Sequence, residues 1–102
     1  MKVIRVTMPD GSEWEVPASV VAKSRAEYFS EYDEDCTYDE EYEFTIGSEF
    51  ELKDWAENNM NWEDVREFSV QVVKGELMKN VDYQKGWMNG VKKFMESDHF
   101  TG

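Results

Sequence analysis

The chain is 102 residues long, which suits a single domain with one modest core and excludes a second core of similar size. Apolar residues make up 40% of the chain and aromatic residues 15%, so it is expected to fold although a third of its residues are charged. The 23 acidic and 11 basic residues leave a net charge of −12. That charge argues against direct binding of nucleic acid or anionic lipid, and it favours a basic partner.

Cellular location is predicted from two further features. No stretch has the apolar run of a signal peptide or of a membrane-spanning helix. Cys36 is the only cysteine, which excludes an intrachain disulfide and fits a reducing compartment. We therefore expect a cytoplasmic protein without membrane association.

The N-terminal residues predict a β-hairpin. Residues 2–8 alternate between apolar and other side chains, and Pro9-Asp10-Gly11 supplies a turn. Residues 13–16 form the second strand, with Trp14 and Val16 on the core face.

The next segment, from residue 18 to about residue 33, has the spacing of a helix. Val21, the aliphatic part of Arg25, Tyr28 and Tyr32 recur at intervals of three or four residues. We expect these side chains, with Val20, Ser24 and Phe29 beside them, to form one face of the helix that packs on the core.

The structure of residues 36–47 stays open between two alternatives. Tyr38 and Tyr42 have helical spacing, whereas Tyr42, Phe44 and Ile46 alternate like a strand.

Two consecutive helices are predicted after Gly47. Ser48 is a suitable N-cap for the first, and its apolar stripe would comprise Phe50, Trp55 and Met60. Asn58-Asn59 would end this helix through a left-handed residue.

Asn61 is a suitable cap for a second, short helix that carries Trp62. Trp62 is our candidate for an exposed, partner-binding tryptophan. The alternative is that its ring packs between the two helices.

The last third contains a strand near 67–74, where apolar residues alternate. Asn89-Gly90 favours a hairpin over 83–95, with a terminal helix as the competing interpretation. Residues 97–102 are expected to fray. Together the segments predict one α+β domain over 1–102, with a small, mainly antiparallel sheet packed against two or three helices.

Residues 27–57, here called the acidic face, hold all the net charge: thirteen acids and one base, against ten of each in the other 71 residues. The same stretch holds eight of the fifteen aromatic residues, so it is expected to be folded. We predict that it binds a basic protein partner, and that the alternative is an accessory or structural domain whose acidity serves only solubility. The predicted partner-binding residues are Glu31, Asp33, Glu34, Asp35, Asp39, Glu40, Glu41, Glu43 and Trp62.

DNA mimicry is a variant of that hypothesis. A continuous helix over these residues would span about 46 Å and carry a carboxylate every ~3.6 Å, against a phosphate every ~1.7 Å of duplex DNA. The match is therefore partial, and a break near Gly47 would interrupt it.

The sequence singles out no catalytic residue, cofactor site or metal site. With 23 acids, a hydrolase that uses a pair of carboxylates and weak binding of divalent cations stay as minor alternatives. Residues 33–44 begin like an EF-hand loop, but Tyr38 and Phe44 stand where glycine and glutamate are required. His99 is isolated, and Cys36 lies among acids that disfavour a thiolate. We therefore expect a non-enzymatic protein.

Four segments resemble small acidic proteins of unknown function from marine cyanophages and related tailed phages: PDGSEWEVP, SRAEYFSEYDEDCTYDEEYEF, DWAENNMNWEDV and NVDYQKGWMNG. The resemblance extends to about Gly90 and does not cover 91–102. It implies a phage origin and the host cytoplasm as the setting, and it transfers no binding or catalytic residue.

Overall fold

A four-stranded antiparallel sheet forms one layer of the protein. The computed structural model describes residues 1–100, and its strands are β1 (Lys2–Thr7), β2 (Glu13–Pro17), β3 (Val70–Val73) and β4 (Lys92–Glu96). They lie in the order β3-β2-β1-β4, so β3 and β4 are the edges. The predicted N-terminal hairpin is confirmed, with Ile4 opposite Val16 and Val6 opposite Trp14.

Helices cover one face of this sheet. Residues 1–100 contain α1 (Ala18–Tyr32), α2 (Tyr38–Ile46), α3 (Glu49–Asn59), α4 (Trp62–Val65) and α5 (Tyr83–Asn89), with a 3-10 turn at Arg66–Phe68. The predicted α+β fold is confirmed. None of these helices has both the length and the apolar character needed to cross a membrane.

One hydrophobic core lies between the sheet and the helices. Successive side chains of β1 and β2 point to opposite faces of the sheet. Ile4, Val6 and Val16 point toward the core, where they are fully buried. Fully buried side chains from the helices complete it, among them Val21, Ala22, Leu52, Ala56, Val65 and Trp87.

The buried face of α1 differs from the predicted one. Tyr28 is 48% exposed and Tyr32 is 71% exposed, whereas Ala18, Ala22 and Ala26 are buried beside Val21. A pattern of large apolar side chains does not include alanine, but the small alanine side chain lets neighbouring elements approach closely. Helical spacing located the helix correctly. The predicted face was wrong at Tyr28 and Tyr32, whereas Arg25 is largely buried, and Val20 and Phe29 pack against the core.

Residues 38–46 are helical, which settles the alternative left open by the tyrosines. The Thr37 hydroxyl accepts a hydrogen bond from the Glu40 amide at 3.3 Å. Asp39, Glu40 and Glu41 occupy the first turn, where the helix dipole favours negative charge. These cap signals outweigh the strand-like alternation.

The predicted cap of α3 is confirmed, since the Ser48 hydroxyl accepts a hydrogen bond from the Glu51 amide at 3.2 Å. Its predicted stripe is partly wrong, because Phe50 is 74% exposed and the buried face includes Leu52 and Ala56. The predicted left-handed end is also wrong, since Met60 ends the helix in an extended conformation with φ −126°.

The predicted C-terminal hairpin over 83–95 is wrong. Residues 83–89 form α5, capped by Asp82, and β4 pairs with β1. Gly90 has φ −68°, outside the left-handed region that an Asn-Gly hairpin turn needs. Gly86 is required by packing, since a Cβ there would lie 2.6 Å from Pro9 Cδ.

Two further boundaries differ from the prediction. The strand near 67–74 is limited to β3, and Phe68 belongs to the 3-10 turn. The expected frayed tail is instead held at its start, where the Ser97 amide donates to the Met1 carbonyl at 2.8 Å and Ser97 is buried. The part of that prediction that concerns residues 101–102 lies outside the described residues.

Candidate protein-binding face

The acidic face is built on a helical hairpin. Arg25 Nη1 of α1 donates to Glu41 Oε2 of α2 at 2.7 Å and to Thr45 Oγ1 at 3.0 Å, so α2 runs back along α1. At its C-terminal end, the Ile46 carbonyl accepts a hydrogen bond from Lys2 Nζ at 3.2 Å. The turn at 33–37 therefore lies at the end of the hairpin away from the sheet.

Seven of the predicted binding residues are exposed on this hairpin, and none of the seven has a basic partner within 4.0 Å among residues 1–100. They are Glu31, Asp33, Glu34, Asp35, Asp39, Glu40 and Glu43. The fold brings them together on the end of α1, the connecting turn and α2.

Two predicted residues have different surroundings. Glu41 is half-buried in its ion pair with Arg25, so it holds the two helices together. Trp62 is only 5% exposed and packs against Trp14 and Trp87 with centroid separations of 5.5 and 6.0 Å. The ring expected at the surface is therefore buried.

Arg25 connects all three helices of the acidic face. Besides Glu41, its guanidinium lies 3.7 Å from Glu51 of α3, and its Cζ lies 4.6 Å from the Phe29 ring centroid and 5.1 Å from that of Phe44. It is 12% exposed. The sequence predicted the burial of its aliphatic part but gave no sign of these partners.

Exposed aromatic rings lie among the acids. The sequence had predicted that Tyr28, Tyr32 and Phe50 would be buried. Tyr28 packs against Tyr32 at 4.9 Å and against Trp55 at 5.4 Å between centroids, and both tyrosines remain exposed. Phe44 and Phe50 are 54% and 74% exposed. Their exposure could have been predicted from the number of large apolar side chains, because these helices carry more of them than one narrow apolar stripe can bury.

A groove of about 790 Å³ opens on one side of the hairpin. Its apolar side chains are Val20, Tyr38, Tyr42, Met60 and Phe68. Its acidic side chains are Glu27, Asp39 and Asp64, and its basic side chain is Lys23.

Cys36 has the environment of an unreactive thiol. A hydrogen bond to Glu41, partial burial and the nearby Asp33 raise the pKa of the thiol to about 12. The thiolate is the nucleophilic form, so at neutral pH this side chain is protonated and weakly nucleophilic.

Ser97, His99 and Glu15 meet on the sheet, although they do not form a nucleophilic triad. His99 Nδ1 lies 3.0 Å from Ser97 Oγ and 2.8 Å from Glu15 Oε1, while the serine hydroxyl donates directly to the same carboxylate. In a triad the serine and the carboxylate contact opposite ring nitrogens, so that one nitrogen accepts the serine proton while the carboxylate orients the ring through the other. Here both contact one nitrogen, and the arrangement binds the chain end to the sheet.

The pKa of Glu15 is lowered by this arrangement. Burial raises it, but the hydrogen bonds from Ser97 and His99 and the charges of His99 and Arg5 outweigh that effect. Within residues 1–100, no three His, Cys, Asp or Glu side chains are grouped so as to hold a metal ion.

Comparison with family models, with curated proteins and with solved structures found no match to this chain.

Proposed function

We propose that this protein is a non-enzymatic binding protein whose acidic face recognises a basic protein partner. The observation that carries the proposal is the group of seven exposed acids on the α1–α2 hairpin, for which residues 1–100 provide no basic partner within 4.0 Å. Opposite charges on two proteins accelerate their encounter and fix their relative orientation.

The exposed aromatic rings favour binding over the alternative that acidity serves only solubility. Tyr32 and Phe50 are each more than two-thirds exposed on this same face. A surface selected for solubility alone has few exposed large apolar side chains. Tyrosine and phenylalanine beside carboxylates suit lysine and arginine, which form ion pairs with the acids and cation–π contacts with the rings.

DNA mimicry is the weaker variant of the proposal. The acids lie on three helices and in the turn at 33–37, a second break follows at 47–48, and the first two helices fold back on each other. A duplex presents its phosphates along a continuous path. A partner that reads a compact acidic patch agrees better with this arrangement.

A phage setting forms part of the proposal and depends only on the sequence resemblance. In that setting the partner is a basic protein of the phage or of its host, and binding occurs in the host cytoplasm.

A charge-reversal experiment tests the proposal. The variant Glu31→Lys/Glu34→Lys/Asp35→Lys changes three exposed acids at the hairpin end and leaves the Arg25–Glu41 pair and the Thr37 cap intact. The matched control, Glu63→Lys/Glu76→Lys/Asp98→Lys, makes the same change in net charge at exposed positions outside the acidic face.

Wild type, variant and control are immobilised, and proteins retained from host lysate at low and high salt are identified and their association rates measured. We expect the hairpin variant to lose the salt-sensitive partner through slower association, and the control to keep it. Equal loss by both variants would mean that overall charge alone causes retention, and the proposal would fail.

A further inference from the structure

We propose that the groove beside the helical hairpin binds an amphipathic, basic α-helix of the partner, an inference that rests on the proposed function and assigns the site of contact. The groove has an apolar floor and an acidic rim, and it adjoins the acidic face. Of its five apolar residues, Met60 is buried, Val20, Tyr38 and Tyr42 are partly accessible, and Phe68 is 46% exposed. A solvent-exposed phenylalanine at the wall of a groove is available for contact with a ligand side chain.

The walls favour a helix over an extended segment. Ser19, Lys23 and Glu27 line the groove at intervals of four residues along α1, and Tyr38 and Tyr42 line it at the same interval along α2. The segment from the end of α3 to the 3-10 turn completes the lining with Asn59, Met60, Asp64 and Phe68. Ridges at this spacing accept the ridges of a third helix. An extended peptide would need a strand edge for its backbone hydrogen bonds, and none of the residues that line this groove belongs to a strand.

The length of the groove matches about two turns. From Ser19 to Glu27 the wall extends about 12 Å at ~1.5 Å per residue, which accommodates side chains at positions i, i+3 or i+4, and i+7 of an incoming helix. The rings of Tyr38 and Tyr42 are stacked at 6.0 Å between centroids with an interplanar angle of 20°, so they present one continuous apolar wall.

Charge complementarity selects a basic helix. The lining contains three acids, Glu27, Asp39 and Asp64, and one base. That base, Lys23, is 65% exposed and lies 3.9 Å from Glu27, a weak exposed ion pair. Lysine or arginine residues flanking the apolar side of a helix would face these acids, while its apolar residues contact Val20 and Phe68.

Two synthetic peptides serve as the probe. One is an amphipathic peptide of leucine and lysine about 18 residues long, five turns at ~3.6 residues per turn. The other has the same composition in a scrambled order without an apolar face. Since charge is equal, a difference in affinity measures apolar contact.

We expect wild type to bind the amphipathic peptide at least about tenfold more tightly than the scrambled one. Phe68→Gln and Tyr38→Gln, both net-charge-neutral, should each remove most of that difference. Phe50→Gln is the matched control, because Phe50 is 74% exposed on the acidic face and lies outside the groove. Lys23→Glu should strengthen binding of the amphipathic peptide, and circular dichroism verifies that each variant is folded.

The contrary results separate the two proposals. If wild type binds both peptides equally, or if Phe68→Gln and Tyr38→Gln behave like Phe50→Gln, the groove is not the site and this inference is overturned. The proposed function still holds in that case, provided that the hairpin charge reversal weakens both peptides. If that reversal leaves both affinities unchanged, the proposed function fails as well.

Discussion

Two buried carboxylates, one in β2 and one in the β1–β2 turn, have surroundings opposite to those of the exposed acids on the acidic face. Glu15 is 2% exposed and contacts Ser97, His99 and Arg5. Asp10 is 8% exposed and accepts hydrogen bonds from Ser12 and Tyr83. On the acidic face, by contrast, seven acids are exposed without a basic partner in the described part of the chain.

This contrast shows that residue type alone does not reveal the role of an acid in this protein. Buried acids with several hydrogen bonds stabilise the fold, because removing one leaves its donors unpaired. Exposed acids on a like-charged surface stabilise it little or oppose it. They are therefore the positions at which charge can serve binding at small cost to the fold.

The largest effect is expected from Glu15→Ala. Removing this carboxylate leaves Ser97, His99 and Arg5 without their shared partner, so the free energy of unfolding should fall by about 2–4 kcal/mol. Urea unfolding measures the change. The matched substitution Glu34→Ala, on the acidic face, should stay within ~0.5 kcal/mol of wild type. Similar losses at both positions would contradict the distinction between the two regions.

Arg25→Met tests the connection between the hairpin and α3. The substitution leaves Glu41 and Glu51 without their cation and should cost about 1–3 kcal/mol of unfolding free energy. Added salt should stabilise this variant more than wild type, because it screens the repulsion that Arg25 offsets. Equal salt dependence in the two proteins would show that the charge of Arg25 is unimportant and that packing of its side chain explains the loss.

Acid should destabilise the protein through its buried carboxylates. Burial raises the pKa of Asp10, but hydrogen bonds from Ser12 and Tyr83 outweigh it, and the pKa of Glu15 is lowered in a similar way. A carboxyl group with a lowered pKa in the folded state stabilises that state above its unfolded pKa, about 3.9 for Asp and 4.3 for Glu, and loses this contribution as pH falls through the folded pKa.

Urea unfolding between neutral pH and about pH 2 should therefore show stability falling from about pH 5 downward. Glu15→Gln should reduce the slope of the free energy of unfolding against pH. Glu34→Gln serves as the comparison from the acidic face. An unchanged slope in Glu15→Gln would rule out Glu15 as a source of the acid sensitivity.

A smaller effect is expected at the caps of the acidic face. Thr37→Ala and Ser48→Ala each remove a side-chain acceptor from a helix N-terminus and should each cost about 1 kcal/mol. Thermal melts measure the loss, and Ser30→Ala, in the last turns of α1, serves as a control with little expected change. A melt of Thr37→Ala that matches wild type would show that the three acids of the first turn hold α2 without the cap.

Much of the fold could be predicted because its signals are local. The alternation of β1 and the cap at Ser48 each depend on a few neighbouring residues. Where the prediction failed, the cause was distant in sequence. Asn89-Gly90 favours a hairpin, but Gly86 packs against Pro9 and β4 pairs with β1.

The acidic face could be located by counting charges, although its details could not. In the sequence Glu41 and Glu40 are equivalent acids of the same face. In the structure α2 packs back along α1, which places Glu41 beside Arg25. Trp62 appeared exposed because it follows a polar corner, yet Trp14 and Trp87 surround it from sites 48 and 25 residues away in the sequence. Tertiary contacts of this kind leave no local pattern.

The smallest effect is expected from relieving repulsion within the acidic face. Glu27 and Glu31 are four residues apart on α1, and Glu31 also lies near the helix C-terminus, where the dipole disfavours negative charge. Glu31→Gln should therefore raise the free energy of unfolding by a few tenths of a kcal/mol. Asp35→Asn should change it less, because Asp35 lies in the turn between α1 and α2, so its four-residue spacing from Glu31 and Asp39 does not put the side chains on one helix face. Both differences should shrink at high salt, where screening already removes the repulsion. Urea unfolding at two ionic strengths measures them, and a loss of stability in Glu31→Gln at low salt would show that this acid supports the fold, as Glu15 does, rather than being free for a partner.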